Sequence, residues 1–333
     1  MKRIFKKVVL IFLILLGVLV IYLFVGTSPQ AENITWGIDF SQKHARDMGL
    51  NWKEVYLAYL NDLNVKEIKL STAWDLLEPE KDSYNLTDLD WQIDQAQRHG
   101  ARIVLVIGMR TPRWPECHLP DWARELSDQE RQQSVLDLLE KVVSRYRDNP
   151  SIWAWQVENE PLLAFGQCPK TNKKFLKQEV ALVKSLDLLK RPVIITNSGE
   201  WSLWLGTGDV GDISGTTLYR RVWQGKLGIY VNYPFPPIYY YRKAELIKKL
   251  FNKEVICTEL QAEPWGPKLL YDISLEEQEK SMDLDRFSAN IEFAEKTGLG
   301  TFYLWGGEWW YWLKEKQNDP SFWNEAQKLY SID

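Results

Sequence analysis

The run Ile152-Trp153-Ala154-Trp155-Gln156-Val157 ends in Glu158-Asn159-Glu160-Pro161. Its apolar residues mark a half-buried strand, and Pro161, which has no N–H to give a sheet, stops it. The strand's carboxyl end therefore carries an amide, Asn159, and a carboxyl, Glu160. A carboxyl can move a proton or attack an electron-poor carbon, and an amide beside it can grip a hydroxyl. Glu158 could supply the carboxyl instead, but its neighbours Asn159 and Pro161 set the register in favour of Glu160. A second apolar run, Val255-Ile256-Cys257-Thr258, delivers Glu259 at its tip in the same manner. Either one alone could be a solvated strand end, so the elements that carry them must decide.

From Ile34 onward, short β-rich runs alternate with amphipathic stretches, the pattern of a parallel α/β fold. The strands expected are 35–40, 67–70, 102–107, 152–157, 193–196, 213–218, 254–258 and 301–304. Helical stretches are expected at 52–63, 88–99, 128–148, 172–189, 242–251, 275–296 and 321–330, with capping boxes at Ser127…Glu130 and Ser274…Glu277. The connection after the fifth strand is weak, since 201–205 could supply only a short helix. Eight strands in one series without a linker predict a single (β/α)8 TIM barrel, with an open doubly wound sheet as the runner-up. In such barrels the chemistry gathers at the carboxyl ends of the strands. Those ends carry Asp39, then Trp74 and Glu78, then Arg110, Arg113 and Trp114, then Asn159 and Glu160. Glu200 and Trp201 follow the fifth strand, Tyr219 the sixth, Glu259 the seventh and Trp305 the eighth.

This rim resembles that of the clan A glycoside hydrolases, retaining (β/α)8 enzymes that include many cellulases, mannanases and β-galactosidases. The resemblance covers nearly all of the chain beyond its first 30 residues. It implies that Glu160 is the acid/base and Glu259 the nucleophile of a double displacement, with the two carboxyls about 5–5.5 Å apart. It implies further that Tyr219 hydrogen-bonds the nucleophile, that Trp305 floors the subsite of the attacked sugar, and that Asn159 holds its 2-hydroxyl. Trp74, Arg110, Trp114 and Glu200 complete the expected substrate contacts. Glu263 is the rival nucleophile but lies past the expected strand end. Glu78 and Glu308 also sit on the rim, as substrate contacts or ion-pair partners. Lys69 stands near the place where many clan members put an arginine. The histidines often found after strand three and two residues before the strand-six tyrosine are absent, the latter position being Thr217, which departs from the commonest cellulase pattern.

No cofactor is expected. The chain has only 3 histidines, against a His-built metal site, and shows no metal-ligand or nucleotide-binding spacing. Lys2, Arg3, Lys6 and Lys7 precede an unbroken apolar run from Val8 to Val25, which predicts a single-pass membrane anchor with the remainder extracytoplasmic. A cleaved signal peptide is the competing reading. The domains expected are thus an anchor, 1–30, and a hydrolase barrel, 31–333. Without those four basic residues, 37 Lys+Arg face 45 Asp+Glu, a net −8 that disfavours nucleic acid as a partner. The partners expected are a carbohydrate substrate and the lipid bilayer. Because only residues 26–33 separate the apolar run from strand one, the barrel's base is expected to face the membrane. Cys117 and Cys168 follow neighbouring strands and are expected to pair outside the cell. The aromatic stretch 230–241 is expected to be a loop over the cleft. The functional alternatives are a non-catalytic glycan-binding barrel and a transglycosylase on the same scaffold.

Overall fold

The structure, a computed structural model, describes residues 2–331. The chain begins with the apolar helix α1 (Lys2–Phe24) and enters β1 (Thr35–Ser41), the short α2 (Gln42–Asp47) and α3 (Trp52–Asn61). There follow β2 (Glu67–Ser71), α4 (Trp74–Leu77), α5 (Thr87–Arg98), β3 (Arg102–Ile107), α6 (Asp128–Tyr146), β4 (Ile152–Val157), α7 (Lys173–Leu186), β5 (Val193–Asn197) and β6 (Ile213–Leu218). A hairpin of β7 (Arg221–Gln224) and β8 (Ile229–Asn232) precedes α8 (Pro237–Phe251) and β9 (Val255–Gln261). The chain closes with α9 (Leu275–Glu279), α10 (Leu284–Glu295), β10 (Thr301–Trp305), α11 (Gly307–Lys316) and α12 (Ser321–Tyr330). Eight parallel strands join in the order β1-β10-β9-β6-β5-β4-β3-β2 and close on themselves, giving the expected barrel.

Strand alternation divides the barrel's interior by height. Val104, Ala154, Ile194, Ile256 and Tyr303 form an apolar cluster inside it. Two residues further along their strands, Gln156, Thr196 and Thr258 are equally buried. The interior thus turns polar toward the carboxyl ends, where a polar substrate would enter. The opposite strand faces pack on the helices through residues such as Phe40, Leu70, Leu105 and Cys257.

Several elements differ from the sequence reading. Ile229–Asn232 is a strand of the β7–β8 hairpin, and Pro237 starts α8, so the stretch 230–241 is not one loop. Proline suits the first helical position because no N–H is needed there. The expected helix 275–296 is two helices, with Asp283 capping the second by accepting the Arg286 N–H. No helix forms between β5 and β6, and α11 was not foreseen.

The tether also departs from expectation. The last turn of α1 packs on α8: Leu23 is buried, Phe24 lies 5.1 Å from Tyr239, and Arg242 Cζ lies 4.9 Å over the Tyr22 ring. Tyr239 belongs to the first turn of α8, the end nearer the barrel mouth. From there the chain runs down the barrel's flank, where the Ser28 hydroxyl donates to the Lys296 carbonyl, and enters β1 at the base. The helix end therefore sits beside the barrel rather than beneath it.

Closure at the base depends on Gly37. A Cβ there would lie 2.5 Å from Tyr303 Cδ1 and 2.9 Å from the Glu67 carbonyl, and the Tyr303 ring is fully buried. Gly37→Val should therefore destabilise the barrel by about 1–3 kcal/mol, read as a lowered urea midpoint.

Candidate active site

Glu259 lies within β9, and its inward aim depends on a bulge. Cys257 packs outward against the helices, so strict alternation would turn Glu259 outward as well. The pairing of β9 with β6 shifts between Thr216↔Cys257 and Thr217↔Glu259, and its pairing with β10 shifts in the same place. The extra residue turns the glutamate back into the barrel. There the Tyr219 hydroxyl donates to Glu259 Oε2 at 2.9 Å and the Lys69 ammonium to Oε1 at 3.3 Å. Lys69 is fully buried, lies 2.8 Å from Asp39 Oδ1, and donates to the Thr258 carbonyl at 2.9 Å. One cation thus holds two carboxyl groups. Asp39 is pushed up to about 8 by burial, against the pull of Lys69 and with the Glu259 charge adding to the rise.

Glu160 reaches the same space from β4 by a different device. Glu158 and Glu160 both adopt positive φ, 59° and 43°, a conformation that costs side-chain-bearing residues roughly 1–3 kcal/mol each. The surroundings hold it in place. The Glu160 N–H donates to Thr196 Oγ1 at 2.7 Å, and the Asn159 N–H donates to the Arg110 carbonyl at 2.7 Å. The Glu158 carboxylate accepts the N–H groups of Met109 (2.9 Å) and Arg110 (2.7 Å). Glu158 therefore fastens the loop after β3 and does not face the cleft. Burial and then the charges of Glu259, Glu116 and Glu200 hold the Glu160 carboxyl well above the usual range, opposed by Arg110. Thr217, standing where a histidine was noted missing, brings its hydroxyl to 3.4 Å from Glu160 Oε1.

The other expected residues divide. Asn159 is buried beside Glu160; its Oδ1 accepts from Gln156 and Thr196, and its Nδ2 donates to Glu116 Oε2 at 3.4 Å. Trp305 lies in the cluster with Tyr219, and Arg113 Cζ covers one face of its ring at 3.7 Å. Trp114 is exposed, 6.1 Å from Phe165. Glu200 is buried, accepts the Tyr219 N–H at 2.6 Å, and is pushed up to about 7 by burial. Arg110 is buried and donates to the Leu163 carbonyl at 2.6 Å, with its Nε 4.0 Å from Glu116. Trp74 is a correction. At 0% exposure, with its indole N–H donating to Glu78 Oε2 at 2.8 Å, it offers no face to a sugar and is a packing residue.

Glu116 was missed. It follows the Trp114–Pro115 peptide, lies between Asn159 and Arg110, and is pushed up to about 8 by burial and the Glu259 charge. It lies in a loop rather than at a strand tip, so a reading of strand ends could not find it. The adjacent Cys117 is bonded to Cys168, as expected.

Glu263 is also buried, but Arg113 holds it in an ion pair and at the same time lies 3.0 Å from Glu308 Oε2. Glu308 in turn accepts the Ser41 N–H at 2.6 Å. Arg113→Met would leave two carboxylates buried without their cation. It should cost about 3–5 kcal/mol in chemical denaturation at neutral pH. The deficit should ease as pH falls through the carboxylate range, because a neutral carboxyl no longer needs the cation.

Against known proteins, residues 51–191 match a family described as Beta-galactosidase. The Beta-galactosidase LacZ of Lactobacillus acidophilus is 25% identical over 189 residues, which is 49% of this chain and 27% of that protein. The chain thus spans little more than a quarter of the relative's length. Among solved structures, a GH5_18 protein from Bifidobacterium longum subsp. longum superposes with a TM-score of 0.58 at 13% identity, covering 82% of this chain and 70% of that one. Xylanase 10B from Thermotoga petrophila superposes with a TM-score of 0.55 at 14% identity, covering 89% and 94%. The closed barrel is thus the fold of these glycoside hydrolases, and over residues 51–191 the sequence is similar to that of β-galactosidases.

Proposed function

We propose that the protein is a membrane-anchored, extracytoplasmic β-glycosidase that works with retention through Glu160 and Glu259. The observation that carries this reading is the unequal treatment of the two carboxyls. Glu259 receives a hydroxyl and an ammonium, which suit a charged nucleophile, whereas Glu160 is held protonated by burial and by the Glu259 charge. The Glu259 carboxylate attacks the anomeric carbon as the bond to the leaving oxygen breaks, and the Glu160 proton passes to that oxygen. Glu160, now a carboxylate, takes a proton from water; the water oxygen bonds to the anomeric carbon and Glu259 departs. Asn159 and Trp305 hold the sugar between them. The names of the matched relatives make aryl β-galactosides the first substrates to try.

The anchor reading rests on α1, whose residues Ile4–Phe24 are apolar enough to cross a membrane. The Cys117–Cys168 bond fits an oxidising compartment outside the cytoplasm.

Glu259→Ala should abolish turnover of every substrate, and added azide should restore some as the glycosyl azide of inverted configuration. Glu160→Ala should keep the first step on aryl glycosides with good leaving groups but slow the second, so that a burst precedes the steady state. Glu263→Ala should retain measurable activity. Turnover surviving in Glu259→Ala but lost in Glu263→Ala, or a wild-type product of inverted configuration, would sink the assignment.

Glu160 must carry its proton in the first step, so activity should fall as pH rises through its elevated pKa. Glu116 contributes to that elevation. Glu116→Gln should therefore move the basic limb of kcat/KM to lower pH, and a limb that stays in place would remove Glu160 as its source.

A further inference from the structure

The end of α1 and one side of the barrel mouth are joined by a continuous run of aromatic rings. Phe24 lies 6.1 Å from Phe235 and 5.1 Å from Tyr239. Phe235 stacks on Tyr239 at 4.6 Å and meets Trp201 edge-on at 4.9 Å, and Trp201 also meets Tyr233 at 5.7 Å. Trp201 follows β5, and Phe235 follows the hairpin after β6, so both stand at the carboxyl ends of the barrel strands. Trp201 is 69% exposed although it is the largest side-chain type. The apolar surface continues from it along the rim through Leu205 (41%) and Leu162 (46%), the latter lying against Gly206.

We propose that this β5–β6 side of the mouth rests on the outer face of the bilayer, with Trp201 and Leu205 in the headgroup layer, so that the cleft opens along the membrane surface. The proposal rests on the anchor reading above and replaces the orientation, base toward the membrane, that the short tether suggested. The candidate span Ile4–Phe24, with Lys6 and Lys7 at its inner end, runs about 31 Å at 1.5 Å per residue, close to the roughly 30 Å of the hydrocarbon layer, which puts Phe24 at its outer boundary. Trp201 is two ring contacts from Phe24, no more than about 11 Å away, so an oblique run along the rim sets it in the headgroup layer, about 5–8 Å deep on each side. Trp and Tyr concentrate at that depth, because their rings are amphipathic. Two cations are placed to match: Arg242 stands over Tyr22 in the last turn of α1, and Arg220 donates to the Phe235 carbonyl at 2.9 Å. A sugar-stacking platform would explain the exposed Trp201. It would not explain two exposed leucines beside it, nor its continuity with the end of α1.

The test uses the full chain reconstituted in phosphatidylcholine vesicles that contain headgroup-nitroxide lipid. A fluorophore is attached at Trp201→Cys or, separately, at Asp148→Cys in the turn before β4 at the base. Cys257 is buried and the other two cysteines are bonded, so the introduced thiol is the one that reacts. The expected result is loss of emission at position 201 and none at 148. Leu205→Cys provides a second rim position with the same expected result should Trp201→Cys fold poorly. A chain that floats with the vesicles but is quenched at 148, or at neither position, overturns this orientation and leaves the anchor reading standing. A chain that does not float with the vesicles overturns both.

Discussion

A carboxylate at the centre of a closed barrel needs a cation to hold it there, and Lys69 is that cation. It has no exposure, and its neighbours are Asp39, Glu259 and the Thr258 carbonyl. Placing an ammonium and a carboxylate out of water is costly unless each is met by a partner of good geometry. The surrounding arrangement follows from that requirement. Asp39 must sit opposite Lys69 in the β1–β2 register, and it does. Tyr219 must meet the remaining oxygen of Glu259, and Glu200 fixes the backbone that presents Tyr219. Burial first, and then the charges of neighbouring carboxylates, drive the acids around this lysine upward.

Two backbone irregularities aim the pair of glutamates that this charge balance serves. The β9 bulge turns Glu259 inward, and the left-handed residues Glu158 and Glu160 bend the chain sharply at the end of β4. Both are local departures from regular structure, and the second is held by Thr196 at Glu160 and by the N–H groups of Met109 and Arg110 at Glu158. A second ion-pair group, Arg113 with Glu263 and Glu308, lies against the Trp305 ring and engages both of those acids.

The strands were legible because alternation and β-branched runs report burial directly; β3, β4 and β6 fall at the expected bounds. The meeting of Tyr219 with Glu259 was legible through the resemblance, which implies a hydrogen bond from the tyrosine after strand six to the nucleophile. What stayed hidden depends on irregular backbone. The bulge at Glu259 leaves no composition signal, Glu116 lies in a loop, and the burial of Trp74 follows from a contact with Glu78 that periodicity does not report. The stretch 230–241, which holds most of β8 and the start of α8, was read as loop because its aromatic and proline content suits one.

The loops after β3 and β4 are joined by more than the disulfide. Asn159 donates to the Arg110 carbonyl, the Glu158 carboxylate takes two N–H groups from the facing loop, and Cys117 is bonded to Cys168. Such cross-ties make one cooperative unit for local unfolding, since none of its members can open without breaking the others. Glu160 therefore stands in a part of the mouth that the disulfide and these hydrogen bonds tie together, and any opening of its loop must carry the loop after β3 with it.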